Sequence, residues 1–416
     1  MAASETTTTS RKAGLIFFKS LFGAGILALP SAMNTVKLKL AFALYGCISL
    51  GCVGTCYALL KTKDIVQSHS PHLVINTYED LVSEVLSKRA ARIVRGTVVA
   101  LNICFCTGFV IAINDNLNKT WSLGPGEIAV VLLPLLIALS SSNYLHQLWF
   151  VSFLGLLTYF AGVIGSSVYY VGKNWRENDS FINDVEWSQI PKFTGTAVYA
   201  LEGICLVLPV QRQMNDQKEA MKVLVWISLP VYAVLTCTYS LIAAAGGLAE
   251  NIDGETCDIV TDCFDPGKLA DTLRIALSAA LIVTHPVTLY PAIEMLEFVL
   301  VRKNVEGRET LINKNSPLLP LKTDATTIKP NHILRVSLVS LTVVVGALVK
   351  SFSGFSNVVG GVGLTFVGFV VPAICYQAVH KKYELPMNIF ANILCWLCFA
   401  FGIFNALYSG IILNFE

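Results

Sequence analysis

Residues Phe17 to Pro30 read FFKSLFGAGILALP. The stretch is apolar enough to begin a membrane span, yet it carries Lys19 in its first half and Gly23 and Gly25 at its centre. Each glycine lowers helix propensity by about 1 kcal/mol relative to alanine. Pro30 lacks the N–H that would bond one turn earlier. A span built only as an anchor avoids all of these, so the stretch reads as an interrupted helix. In lipid an interruption survives only where it lines a cavity or is buried in protein, because unpaired backbone groups are costly there. A break at mid-membrane offers N–H groups to a carboxylate and C=O groups to a cation. An amino acid carries both charges. The same glycines also suit close helix packing, and on this stretch alone the two readings stand side by side.

The rest of the chain supplies the membrane. Of 416 residues 54% are hydrophobic and 14% are charged, against about 25% charged in soluble domains. This composition leaves no room for a large soluble domain. Windows of about 20 apolar residues give eleven spans, near 13–34, 39–61, 93–114, 126–145, 148–172, 193–212, 221–248, 268–300, 332–351, 354–379 and 387–413. Residues 13–413 then form one transmembrane domain, between a polar tail (1–12) and a short end (414–416). The polar tail meets the first apolar run with no small-residue cleavage site, so that run reads as a retained span. The eighth span exceeds a bilayer's need and should tilt or protrude. The Lys and Arg bias of the loops, about two to one, sets the N-terminus in the cytosol. The loop 302–331 is then a cytosolic linker, and the C-terminus lies outside or in a lumen. The glycosylation signals at Asn118 and Asn178 fall on the outer side. The segment TYEDLVSEVL before span 3 reads as a short interfacial helix. A net charge of +2 with no basic, aromatic-studded patch gives no sign of a nucleic-acid partner.

Ten of the twelve cysteines lie in apolar runs and read as small packing residues. Cys257 and Cys263 sit in the polar loop NIDGETCDIVTDCFDPGK. They are disulfide candidates if that loop faces an oxidising compartment.

Span 6, GTAVYALEGICLVLPVQRQM, repeats the first pattern, with Glu202 beside Gly203 and then Pro209. Its GICLVLP echoes GILALP. Two interrupted spans five helices apart are what an inverted repeat of five plus five helices produces, with span 11 as an accessory. Lys19 and Glu202 then lie at membrane depth, each costing about 2.5–3.5 kcal/mol on insertion scales, so each should face a polar interior. Lys19 either acts there or snorkels to the cytosolic surface. Glu202 either takes up and releases a proton or bonds the broken backbone. In span 8, Thr284 and Thr288 share a face and either line an ion site or bond the preceding turn, and Pro286 and Pro291 should kink the helix. His285 beside them either titrates or is a satisfied core histidine. Span 10 is glycine-rich at Gly360, Gly361 and Gly363, which suits close packing and movement.

These motifs resemble the amino acid/auxin permease family. FFKSLFGAGILALP is similar to its first-helix signature, with the lysine of the proton-assisted and fungal vacuolar branch. TAVYALEGICLVLPVQRQM is similar to the same branch's sixth helix, and TYEDLV and VVGGVGLTFVGFVVP fit it over nearly the whole chain. The resemblance implies an all-α, leucine-transporter-type fold and secondary amino acid transport by alternating access. It implies that backbone around Phe22, Gly23, Ala24 and Gly25 holds the substrate carboxylate. Carbonyls near Lys19, Ser20, Tyr199 and Ala200 would hold the ammonium. Tyr199, Glu202, Gly203 and Thr284 would border the pocket. Sodium-coupled members carry asparagine where this chain has Lys19, while THPVTLYP, with Thr284, resembles the sodium-coupled branch. Protons, through Lys19 and Glu202, or ion-independent exchange are therefore expected over sodium, which would use Thr284. The implied partners are an amino acid, the coupling ion and the lipid bilayer. No cofactor or metal is implied.

Two other classes compete with transport. A membrane enzyme needs a catalytic constellation, and the chain has no His-Glu-x-x-His and no nucleophile elbow. His69 and His72 in HSPH are the nearest approach, and they read as a solvated loop. A transporter-like nutrient sensor would share the pocket but signal through longer cytosolic segments.

Overall fold

The computed structural model describes residues 9–21, 23–73, 75, 77–141, 157, 161–168, 171, 187–201, 203–245, 257–312, 331–387 and 389–412. Among them there is no strand, and the regular structure is helical. The chain is an all-α, multi-pass membrane protein. Seven helices among the described residues are long and apolar enough to cross a membrane. Shorter apolar helices cover Gly25–Val36, Pro125–Ser140 and His332–Leu348. Most of the span expected at 148–172 lies outside the described residues. The helical segment 161–168 lays Gly162 and Gly165 against Leu277 and Leu273.

The first span is two helices, α1 (Ser10–Leu21) and α2 (Gly25–Val36). Pro30 lies inside α2. It therefore does not make the break, which falls at the glycines. There follow α3 (Leu38–His69), α4 (Tyr78–Val85), α5 (Lys88–Trp121) and α6 (Pro125–Ser141). The sixth span is again divided, into α7 (Ile190–Leu201) and α8 (Ile204–Gln213). Pro209 sits in α8 as Pro30 does in α2, five residues after the helix start. Next come a π-helical segment (Met221–Ser228) running into α9 (Leu229–Ala245), then α10 (Lys268–Ile312) and α11 (His332–Leu348). The tenth span is α12 (Phe352–Val358), two π-helical segments (Val359–Leu364 and Phe366–Val370) and α13 (Val371–Lys382). The last helix is α14 (Ile389–Ile412).

The two divided spans pack on each other at the centre, α2 against α7. Four fifths of the sixth span's apolar window is buried (82%), against 22% for the window in α14. That contrast puts the broken helices inside and α14 at the lipid. Large apolar side chains such as Leu50, Val130, Ile333 and Trp396 are exposed and present the oily outer surface a bilayer requires.

Three elements depart from the sequence reading. α4 carries a capping box between Thr77 and Asp80, which fixes its start. Its apolar residues Tyr78, Leu81, Val82 and Val85 are buried, packed on α5 and α13 rather than laid on lipid. The Tyr78 hydroxyl donates to the Val367 carbonyl at 2.8 Å, inside a π-helical segment. α10, with Pro286 and Pro291 inside it, continues to Ile312, so the linker expected over 302–331 begins as helix.

The polar loop of residues 257–264 is folded inward. Cys257 and Cys263 are joined in a disulfide. Ile259, Val260 and Thr261 are fully buried. The Val260 N–H donates to the Leu27 carbonyl of α2 at 2.9 Å, and Ser31 Oγ donates to the Cys257 carbonyl. Asp258 accepts from the Phe352 N–H at 2.7 Å, capping α12. The Arg274 guanidinium donates to the carbonyls of Thr261 and Phe264 at 3.1 Å each.

Burial pushes the Asp262 carboxyl up to about 6, partly offset by the Ile259 N–H, Lys119 and Arg274 and reinforced by Asp258. A carboxyl raised in the docked loop binds its proton more tightly there than in a released loop. Docking is thus strongest below the free carboxyl range and weakens as pH rises through about 6. Hydrogen-exchange protection of the 257–264 segment should be higher at pH 5 than at pH 7.5, with Asp262→Asn protected at both. Equal protection of the wild type at the two pH values would count against this.

Candidate functional site

Each break leaves backbone groups without helical partners: carbonyls at the ends of α1 and α7, N–H groups at the starts of α2 and α8. Among the described residues, no side chain caps the start of α2 or of α8. The Ile26 and Leu27 N–H groups turn to the carbonyls of Gly23 and Ala24, and the Leu206 N–H turns to that of Gly203. On the carbonyl side, Tyr232 of α9 sets its hydroxyl oxygen 2.7 Å from the Leu21 carbonyl and 2.7 Å from the Ala200 carbonyl.

A cavity of about 190 Å³ opens at these breaks. Its walls are Ile16, Leu21, Gly23, Ala24 and Gly25 from the first span, and Tyr199, Ala200, Gly203, Cys205 and Leu206 from the sixth. α5 adds Leu101, Asn102, Phe105 and Phe109, and α10 adds Thr284, Val287, Thr288 and Pro291. No described lining residue is an acid or a base. The polar groups are backbone, one amide and hydroxyls. Such a cavity meets opposite charges with helix-end dipoles, N–H ends toward an anion and C=O ends toward a cation.

Of the residues expected to hold substrate, Gly23, Ala24, Gly25, Tyr199, Ala200 and Gly203 line this cavity together with Thr284. Lys19 and Ser20 belong to the last turns of α1, with side chains outside the described set. Phe22 and Glu202 lie outside the described residues, as does Asn178. Asn118 is in the last turn of α5, its side-chain amide donating to the Leu123 carbonyl at 2.8 Å. Thr284 Oγ1 donates to the Ala280 carbonyl at 2.8 Å, bonding the preceding turn while still facing the cavity. Its neighbour His285 is fully buried and its Nε2 pairs with Thr342 Oγ1 of α11 at 3.0 Å, while its Nδ1 has no hydrogen-bond partner among the described residues.

The glycines divide between the two roles they suggested. A Cβ on Gly23 would meet only Phe109 Cε1, at 3.6 Å, so this position leaves room in the cavity. A Cβ on Gly25 would lie 2.7 Å from Tyr199 Cδ1 and 2.9 Å from Ala200 Cα. Gly25 lets the two broken spans touch. Gly203 does the same for α1, since a Cβ there would run into Leu21.

Sequence reasoning passed over the α5 wall. Asn102, Phe105 and Phe109 fall at i, i+3 and i+7, one helical face. An amide opening such a face in an apolar run was the available signal. Tyr199 rests against this wall, its ring 5.2 Å from Phe105 and 6.1 Å from Phe352. Its hydroxyl is buried with no hydrogen-bond partner among the described residues.

Known proteins share this chain's pattern. It is 24% identical over 318 residues to the vacuolar amino acid transporter 3 of Saccharomyces cerevisiae, covering 71% of this chain and 43% of that protein. It therefore spans less than half of that relative's length. It is 24% identical to the amino acid transporter ANT1 of Arabidopsis thaliana, over 97% of this chain and 94% of that one. It is 21% identical to the proton-coupled amino acid transporter-like protein pathetic of Drosophila melanogaster, over 90% of this chain and 78% of that one. The family model described as transmembrane amino acid transporter protein matches residues 6–414, and with that match over nearly its whole length the chain belongs to this family of amino acid transporters.

Proposed function

We propose that the chain is a secondary active transporter that carries small neutral amino acids by alternating access, coupled to protons. One observation carries this reading. The start of α2 and the carbonyl ends of α1 and α7 meet at a single cavity with no charged side chain among its described lining. An α-carboxylate and an α-ammonium are the complement of those dipole ends. A substrate side chain with its own charge would find no partner on the described walls and would pay for desolvation. The cavity volume, about 190 Å³ and so below the usual range for ligand pockets, favours small substrates.

Lys19 and Glu202 are the groups assigned to proton coupling, Lys19 standing where a fixed positive charge disfavours sodium. Sodium coupling is the second reading, because Thr284 and Thr288 both line the cavity. Residues 13–413 act as one transport unit with the N-terminus in the cytosol. The membrane is vacuolar or lysosomal, or the plasma membrane.

The test uses purified full-length chain in sealed liposomes with a labelled mixture of neutral amino acids. Uptake driven by an imposed pH gradient, and not by a sodium gradient, is expected. Lys19→Met should reduce that uptake at least tenfold while the protein remains inserted. Uptake driven only by sodium would replace the proton reading with the second one. No uptake by folded protein under either gradient would remove the transport reading.

A further inference from the structure

Both interrupted spans end on the same hydroxyl. Tyr232 is fully buried, and its oxygen lies 2.7 Å from the Leu21 carbonyl and 2.7 Å from the Ala200 carbonyl. Leu21 is the last residue of α1, and Ala200 is in the last turn of α7. These are the negative ends of two helix dipoles aimed at one point. In a low-dielectric interior such ends repel, and what holds them together is positive charge or a proton donor between them. A bare monovalent cation would satisfy that geometry. The chain puts a phenol there instead.

The phenol is fixed from several sides. Phe18 of α1 meets its ring edge-on with centroids 6.2 Å apart. One turn further along α9, Thr236 donates back to the Tyr232 carbonyl at 3.0 Å and pairs with the Tyr45 hydroxyl of α3. A phenol has a single proton, so at any moment one of the two carbonyls keeps a lone pair open to another donor.

We propose that the Tyr232 hydroxyl is a built-in substitute for a monovalent cation between the carbonyl ends of the two interrupted spans, and that it positions those carbonyls for the substrate's ammonium. The second half rests on the transport reading above; the first half does not. Tyr232 is a positioning residue in this account, since it acts through the carbonyls it holds.

The test separates the two halves. Purified full-length wild type, Tyr232→Ser and Tyr232→Phe are melted in sodium chloride and in choline chloride of equal ionic strength, without substrate. The serine variant vacates the seat. Its Tm should be low in choline and rise with sodium in a saturable way, well beyond any response of wild type. The phenylalanine variant fills the seat with a ring edge that donates nothing. Its Tm should fall in both media without rescue by sodium.

Uptake into liposomes follows. The serine variant should show at least a tenfold difference between sodium and choline, and wild type a ratio near one. A serine variant whose Tm ignores sodium overturns the proposal. If that variant does not fold, a phenylalanine variant as stable as wild type overturns it equally. Absence of uptake by wild type, with the melting pattern intact, would remove the ammonium half and leave the cation half standing.

Discussion

Alanine at position 25 should abolish uptake and lower the Tm of the purified protein by several degrees, while alanine at position 23 should leave Tm close to wild type. The difference follows from what each new methyl meets. At Gly25 it meets Tyr199 Cδ1 at 2.7 Å, Ala200 Cα at 2.9 Å and the Ala200 nitrogen at 3.1 Å. The ring could turn, but the backbone of Ala200 cannot retreat without withdrawing the carbonyl that Tyr232 holds. Overpacking of this kind costs about 1–3 kcal/mol even where side chains can adjust. Here the same displacement separates the two helix ends that form the cavity, so function is lost along with stability. At Gly23 the methyl would sit 3.6 Å from Phe109, an ordinary contact, and would take its space from the cavity. Weakened amino acid binding in a stable protein is the expected result. The checks are a thermal melt and an equilibrium binding isotherm for each variant. A Gly25→Ala protein that melts and binds like wild type would refute the contact between the broken spans.

Arg335→Met should cost about 3–5 kcal/mol of stability, the usual penalty for leaving a buried charge without its partner. Arg335 and Glu297 are each less than a tenth exposed, with Nε 3.3 Å from Oε1. The pair joins α11 to α10. Arg335 also donates to the Ser140 carbonyl of α6 at 3.4 Å, and Glu297 accepts the Asn331 N–H at the start of α11 at 2.9 Å. Removing both charges, as Arg335→Met with Glu297→Leu, should recover most of the loss, because an apolar pair of similar volume avoids desolvation altogether. Denaturant titration of the two single variants and the double variant in one detergent would read this directly. A double variant no more stable than Arg335→Met would show that the hydrogen bonds to Ser140 and Asn331, rather than the unpaired charge, dominate.

The central break was legible because its cause is local. Two glycines on either side of Ala24 are enough to end one helix and begin another. Pro30 carried less than its sequence suggested, because the residues before it in α2 are all buried and packing holds that helix through it. Helix ends were misjudged for a general reason. A hydropathy window stops at the first polar residues, whereas α5 continues as helix from Lys88 to Trp121, well past both ends of its apolar run.

The site was half legible. Glycines and the span-6 echo are marks within a short stretch, and they led to one wall each. Tyr232 and Phe105 are marks of nothing by themselves, since a tyrosine or phenylalanine in an apolar run looks the same whether it faces lipid, core or cavity. Their roles exist only once distant helices are brought together. The loop around Val260 misled in the opposite sense. Its composition is that of a solvated turn, but Cys257, Ile259 and Val260 are buried because the loop lends a backbone N–H to α2.

One consequence concerns how the wall of the cavity can move. A methyl on Gly195 of α7 would run into the backbone of Asn357, and one on Gly360 would run into the Gly195 carbonyl. At these glycines the sixth and tenth spans come into main-chain contact, with the side chains of Asn357, Thr196 and Ser356 packed around it. Walls separated by side chains can slide, because rotamers reset on the way. Walls in direct backbone contact have no such lubricant and must travel as one block or part completely. Opening of this cavity is therefore expected to turn α7 and the π-helical segment Val359–Leu364 together, against α1, which packs on α8 and on the π-helical segment Met221–Ser228 and whose last carbonyl shares the Tyr232 hydroxyl with Ala200 of α7.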